Sequence, residues 1–99
     1  MIRHIVLFKF KPFKNDEEKQ ISEQEIKEAL LALKDKINVL KSIEVGINTN
    51  PKESYNLALT TTFDNYNHLR EYASHPEHLK VVELIKPVKE ERACVDFEI

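Results

Sequence analysis

The chain has 99 residues and a mass of 11.6 kDa, which is enough for one domain, and we expect a single domain over residues 1–99. Fifteen Lys and Arg residues oppose 17 Asp and Glu residues, and the basic residues form no cluster that would follow a phosphate backbone, so no nucleic acid is expected as a partner. There is no long apolar run and no signal-peptide pattern, so we expect a protein that does not enter a membrane. The single cysteine, Cys94, cannot form an internal disulfide, which fits a reducing compartment. Together these features predict a soluble cytoplasmic protein.

The first two predicted elements are a strand and a long helix. Residues 2–11 alternate between two faces and end at Pro12, which predicts a β-strand. Asn15, followed by acidic residues, predicts the start of a helix over roughly residues 16–37. Its apolar stripe consists of Ile26, Ala29, Leu30, Leu33 and Ile37.

Two strands, two helices and a last strand are predicted in the rest of the chain. Alternation over residues 43–47 and 55–63 predicts the two strands. Asp64-Asn65 predicts the cap of a short helix, and His75-Pro76 ends it, because the residue before a proline is driven out of the helical region. The same proline favours the first turn of another helix. Alternation over residues 93–99 predicts the last strand.

This order of elements predicts an α+β fold of the ferredoxin-like kind, an antiparallel four-stranded sheet with helices on one face. The other face of the sheet is expected to be half apolar. Its expected residues are Ile5, Leu7, Ala58, Thr60, Cys94 and Asp96. Because such a face invites a partner sheet, we expect a homodimer formed through the open sheet face.

His78 and Tyr72 are the candidate catalytic residues. His78 shares a helical stripe with Val82 and Ile85, which turns its imidazole inward, and Tyr72 lies six residues earlier. An imidazole can remove a proton next to a carbonyl while a phenol holds the enolate oxygen, so this pair needs no cofactor. The alternative for Tyr72 is an ordinary amphipathic residue at the edge of the core.

The other polar candidates have simpler interpretations. His4 shares a strand face with apolar residues and is either a hydrogen-bonded core histidine or a polar contact to a ligand. His75 and His78 have the spacing of half a metal site, but His75 precedes a proline and no third ligand is evident, so no metal is expected. Cys94 is expected to be an inert packing residue.

Several segments resemble the stress-responsive dimeric α/β-barrel (Dabb) family. They are residues 1–11, 42–46, 72–78 and 95–98, and the segment Tyr-Ala-Ser-His-Pro-Glu-His at 72–78 is the most specific. The resemblance spans essentially the whole chain. It implies a ferredoxin-like subunit whose sheet packs on that of a second subunit to form a shared barrel.

The resemblance also implies two different functions. The family includes plant stress-induced oligomeric proteins without clear enzymatic activity and a polyketide cyclase that works by aldol condensation without a cofactor. The catalytic residues of that cyclase match Tyr72 and His78, and its first-strand histidine matches His4. A further pocket histidine falls at Leu57 here, which puts the substrate in doubt. In other members backbone carbonyls corresponding to residues 34–40 hold magnesium.

Two hypotheses follow, with a third, minor one beside them. The first is a small-molecule pocket between sheet and helices, in which Tyr72 and His78 perform aldol-like or cyclase-like acid/base chemistry on a small carbonyl or aromatic ligand. The expected ligand-contacting residues are His4, Phe8, Leu57 and His75. The second is a non-catalytic oligomeric stress or assembly protein, in which His75 and His78 only fix the bend between two helices. The minor alternative is a cofactor-free monooxygenase.

The inside of the fold separates the first two hypotheses. A cavity of at least about 300 Å³ lined by Tyr72, His78 and His4 favours the pocket. If Leu57 and Phe8 fill that space and His78 is bonded to a backbone carbonyl, the assembly hypothesis is favoured.

Overall fold

The computed structural model describes all residues, 1–99, as four strands and three α-helices. In chain order these are β1 (Ile2–Phe10), α1 (Asp16–Leu31), β2 (Ser42–Ile47), β3 (Leu57–Phe63), α2 (Tyr66–Ser74), α3 (Pro76–Ile85) and β4 (Lys89–Glu98). The strands form one antiparallel sheet in the order β2-β3-β1-β4. The predicted ferredoxin-like α+β fold is confirmed. None of the helices has the length and apolar character that a membrane span requires.

The central strand β1 supplies one wall of the core. It pairs with β3 on one edge and with β4 on the other, and its side chains alternate strictly between the two faces of the sheet. The buried set is Ile2, His4, Val6, Phe8 and Phe10. Burial of each large apolar side chain in this set contributes about 1.5–3 kcal/mol.

The helices α1 and α2 begin where the sequence predicts, because asparagine side chains cap them. The Asn15 Oδ1 atom accepts a hydrogen bond of 2.8 Å from the Glu18 backbone N–H, and the Asn65 Oδ1 atom accepts one of 2.8 Å from the His68 N–H. Each cap satisfies a backbone donor that has no partner inside the helix, which is worth about 1 kcal/mol.

The first helix ends earlier than the expected residue 37. After Leu31 the chain tightens into a turn of 3-10 helix at Ala32–Asp35 and then bends toward β2. Leu33, Ile37 and Leu40 are each only 1% exposed, so the bend keeps all three in the core. The apolar periodicity of the sequence therefore continues past the end of the α-helix itself.

The structure corrects the expected position of two β4 side chains. His4 lies directly opposite Asp96 and Val6 lies opposite Cys94. Side chains of directly opposed residues in an antiparallel pair project from the same face of the sheet. Cys94 and Asp96 therefore lie on the helix-facing side, not on the open face. The last strand also begins at Lys89 rather than at residue 93, since an edge strand tolerates charged residues that break the apolar alternation.

The open face of the sheet is consequently more apolar than expected. Its apolar residues are Ile5, Leu7, Ala58, Ala93, Val95 and Phe97. Val95 is 55% exposed and Phe97 is 38% exposed. A contiguous apolar patch of this kind marks an interaction surface.

Two isoleucines of α1 test how much the core face contributes to stability. Ile26 is 2% exposed and Ile21 is 60% exposed. We expect Ile26→Ala to lower the free energy of unfolding by about 2–5 kcal/mol, since it removes packed methyl groups and leaves a cavity. Ile21→Ala, the matched control, should change it by less than about 0.5 kcal/mol. Urea denaturation followed by circular dichroism measures both, and equal losses would contradict the assignment of the buried face.

Candidate functional site

A cavity of about 100 Å³ lies between the helix-facing side of the sheet and the helices. Eight of its 12 lining residues are hydrophobic. The polar and aromatic members are His4, Phe8, Tyr72, His78, Lys89 and Arg92. Pockets for drug-sized ligands measure about 300–1,000 Å³. This cavity is below that range, and so below the volume expected of the small-molecule pocket.

Tyr72 projects from α2 into the core with its hydroxyl unsatisfied. The residue is 1% exposed, and the hydroxyl oxygen is buried without a hydrogen-bond partner. Burial raises the pKa of Tyr72 to about 12, because the phenolate form would lose its hydration. The phenol is therefore neutral at physiological pH, and its O–H group is free to donate. Buried polar groups are nearly always bonded, so this hydroxyl can donate to a molecule that enters the cavity.

His78 lies in the first turns of α3, and its ring centroid is 4.5 Å from that of Tyr72. The His78 Nδ1 atom lies 2.9 Å from the carbonyl oxygen of Ala73. Since a carbonyl oxygen only accepts, Nδ1 carries the hydrogen and Nε2 carries a lone pair. Burial lowers the pKa of His78, and the bond to Ala73 partly opposes that shift. The imidazole is a neutral base with one fixed tautomer.

The junction between α2 and α3 fixes the placement of this pair. His75 alone separates the two helices, and its backbone N–H donates to the carbonyl of Tyr72 at 3.1 Å. Its Nδ1 atom accepts a hydrogen bond of 3.1 Å from the Glu77 N–H and so caps α3. Pro76 occupies the first turn of α3, as predicted. His75 acts here as a turn and capping residue, and it does not line the cavity.

His4 reaches the cavity from β1 and is held by a residue that the sequence analysis missed. Its Nδ1 atom lies 2.5 Å from the Asp96 Oδ1 atom. Asp96 was assigned to the open face, so this contact was not anticipated. The sequence carries no signal for this contact, because the register that sets residue 96 opposite residue 4 comes from the pairing of β4 with β1 in the structure.

Of the two remaining residues that were expected to contact a ligand, one lines the cavity and one does not. Phe8 lines the cavity, whereas Leu57 is 2% exposed in the core and is not part of the lining. Two unexpected cations, Lys89 and Arg92, complete the lining from β4. Neither forms an ion pair within the chain. They were missed because the last strand was expected to begin after them.

The sequence matches the family described as Stress responsive A/B Barrel Domain (Dabb) over residues 2–99. The chain belongs to the Dabb family. A dimeric protein of unknown function with a ferredoxin-like fold from Bacteroides fragilis is 46% identical to this Dabb chain, with a TM-score of 0.93 over 99% of this chain and 95% of that one. A dimeric ferredoxin-like protein of unknown function from Thermobifida fusca is 26% identical, with a TM-score of 0.84 over 99% of this chain and 90% of that one.

A more distant solved structure carries a named activity. Hydroxynitrile lyase from Passiflora edulis is 20% identical to this Dabb chain, with a TM-score of 0.80 over 99% of this chain and 92% of the lyase. At this identity the likeness shows a shared fold. None of the curated proteins matches the chain.

The lowered pKa of His78 predicts a pH dependence of stability. The unfolded chain binds a proton at this residue more readily than the folded chain does, so the contribution present above about pH 6.5 is lost as the pH falls below that value. We expect the free energy of unfolding to drop between about pH 7.5 and about pH 5.5 by more in the native protein than in His78→Asn. Urea denaturation at both pH values measures the difference.

A direct titration gives the second check. The ring protons of His78, followed by NMR, should titrate with a midpoint below about 6.5. The burial of this imidazole would be contradicted by a midpoint above that value together with an equal pH dependence of stability in the native protein and in His78→Asn.

Proposed function

We propose that this Dabb chain is a cofactor-independent acid/base catalyst that moves a proton next to the carbonyl group of a small ligand. The observation that carries the proposal is the pairing of Tyr72, whose buried hydroxyl has no partner, with His78, whose unprotonated Nε2 is left without a hydrogen bond. Both side chains line one cavity. This is an oxyanion donor beside a general base.

The proposed reaction begins with the ligand carbonyl at the Tyr72 hydroxyl. The phenol donates a hydrogen bond to the carbonyl oxygen, and the His78 Nε2 atom takes a proton from the adjacent carbon. Negative charge then develops on the oxygen that the phenol already faces, and the Ala73 carbonyl holds the other ring nitrogen of the imidazolium. The resulting enolate can be reprotonated or can attack a second carbonyl, as in an aldol ring closure.

The lining also indicates the ligand class. Lys89 and Arg92 supply positive charge without an intramolecular counterion, which favours a ligand with an anionic group such as a carboxylate. The apolar remainder of the lining suits an aliphatic or aromatic body. Since the cavity measures about 100 Å³, the carbonyl end lies inside and a longer ligand extends out along β4.

A non-catalytic assembly protein is the second candidate, and one observation favours it. The bond from His78 to the Ala73 carbonyl also ties α3 to the end of α2, which is a structural role that needs no ligand. The cavity is moreover smaller than a typical ligand pocket. The monooxygenase hypothesis stays a prediction without a specific supporting observation.

We also propose that the chain forms a homodimer through the open sheet face. The face is apolar around Leu7, Val95 and Phe97, and Arg3 on the same face has a buried Nε atom without a hydrogen-bond partner. Two proteins of this fold, 46% and 26% identical to the chain, are dimeric. Two such faces packed together would enclose the apolar residues in a barrel.

Hydrogen exchange into deuterated water tests the catalytic proposal. Small keto acids and neutral ketones should incorporate deuterium next to the carbonyl when the protein is added, and NMR follows the loss of the proton signal. We expect Tyr72→Phe and His78→Asn each to lower the rate by about 10²-fold or more. A hydroxynitrile belongs in the panel as a second ligand chemistry.

Matched controls lie in α2. Tyr66→Phe and His68→Asn make the same chemical changes at residues outside the cavity and should leave the exchange rate unchanged. If all four variants exchange equally, the mechanism is wrong. If His78→Asn lowers stability while none of the tested ketones, keto acids or hydroxynitriles is exchanged or bound, the assembly protein replaces the acid/base catalyst as the proposed function.

The dimer is tested by light scattering. The native protein should have twice the chain mass of 11.6 kDa, and Val95→Asp should give a monomer because it buries a charge in the interface. Ile21→Asp places the same charge at a similarly exposed residue on α1 and should leave the mass unchanged. A native protein that stays monomeric at working concentration would contradict the proposal.

A further inference from the structure

We propose that His4, Cys94 and Asp96 form a binding site for a divalent transition-metal ion of borderline softness, with zinc as the first candidate. The three ligand atoms all lie within 4.8 Å of one another. The inference does not depend on the proposed acid/base chemistry, because neither Tyr72 nor His78 is a ligand, although His4 and Arg92 also line the cavity.

The sheet itself brings the three side chains together. His4 on β1 lies directly opposite Asp96 on β4, and Cys94 precedes Asp96 by two residues on the same strand. Residues two apart in a strand share a face, so all three side chains project toward the helix side of the sheet. Their backbones are fixed by the β1–β4 ladder, which is a rigid support for a ligand set.

The distances approach those of a tetrahedral ion. Zinc bound by nitrogen, sulfur and oxygen holds N and S about 3.6 Å apart, S and O about 3.6 Å apart and N and O about 3.4 Å apart. Here the Cys94 Sγ atom lies 3.5 Å from the His4 Nδ1 atom and 3.7 Å from the Asp96 Oδ1 atom. The His4 Nδ1 atom and the Asp96 Oδ1 atom are 2.5 Å apart, because they share a hydrogen. A metal that replaces this hydrogen requires a rotation of the exposed Asp96 side chain that moves its carboxylate oxygen away from the His4 Nδ1 atom.

A nucleophilic cysteine does not explain the cluster. In a relay from nucleophile through histidine to aspartate, the histidine uses both of its ring nitrogens. Here the thiol and the carboxylate both approach the same Nδ1 atom of His4. Burial and the Asp96 carboxylate also raise the pKa of the Cys94 thiol, which makes it a poorer nucleophile in the free protein.

The donor set selects the class of ion. A thiolate and an imidazole favour zinc, cobalt, nickel or copper over magnesium and calcium, which prefer oxygen ligands. The thiolate and the carboxylate together neutralise a divalent charge. The positively charged guanidinium of Arg92 lies beside the Cys94 thiol and would repel a cation there. It must therefore turn away when the metal ion enters. Three protein ligands leave the fourth position to water, as in open zinc sites.

Cobalt(II) is the probe, because it reports its ligands by absorption. Titration of the reduced full chain should give one bound cobalt per chain, a near-ultraviolet thiolate-to-cobalt charge-transfer band and the visible bands of four-coordinate cobalt. Cys94 is the one cysteine of the chain, so any thiolate band arises from it. Zinc should displace the cobalt and abolish both signals.

Variants on the edge strand assign the ligands. Cys94→Ser should remove the charge-transfer band, and Asp96→Asn should weaken cobalt binding by at least about tenfold. Glu98→Gln is the matched control, since it removes the same charge from the same strand outside the ligand set. Broadening of the His4 ring signals by cobalt in the NMR spectrum identifies the third ligand without a substitution in the core.

Three results would overturn the site. They are the absence of a charge-transfer band in the native chain, an unchanged affinity in Asp96→Asn, and binding of one cobalt per two chains through paired Cys94 thiolates. Circular dichroism of each variant shows that a lost signal does not come from unfolding.

Discussion

The pleat of β1 positions the sheet wall of the cavity. The strand is hydrogen-bonded on both edges, and its helix-facing side chains form one wall of the core and of the cavity. A shift of one residue in its pairing would turn His4 and Phe8 to the other face of the sheet. The apolar residues around His4 therefore hold the register, and the register holds the histidine against both the cavity and Asp96.

A second constraint acts from the helix side. One residue, His75, ends α2 and caps α3, and the following proline cannot continue the preceding helix. The Tyr72 and His78 rings are consequently held 4.5 Å apart with no loop between their helices. The same junction ends one helix, caps the next and sets the distance between the two rings.

Much of the fold was predictable because each long element has one apolar face and a recognisable cap. The cavity residues Tyr72, His78, His4 and Phe8 were predictable for the same reason, since an inward position follows from helical or strand periodicity. The residues that were missed or misplaced lie on β4. They are Lys89, Arg92, Cys94 and Asp96. An edge strand exposed on both faces carries no signal for which face meets the helices, and only its pairing with β1 decides this.

The two walls of the cavity differ in kind. The helical wall is fixed by the junction at His75, whereas Lys89 and Arg92 stand on a single edge strand whose residues are mostly exposed. Exchanges at such positions cost little free energy of folding. Substitutions at residues 89 and 92 can thus change the charge of the cavity lining while the Tyr72 and His78 rings keep their positions. A combinatorial library confined to residues 89 and 92 would vary the charge of the cavity lining without altering its helical wall.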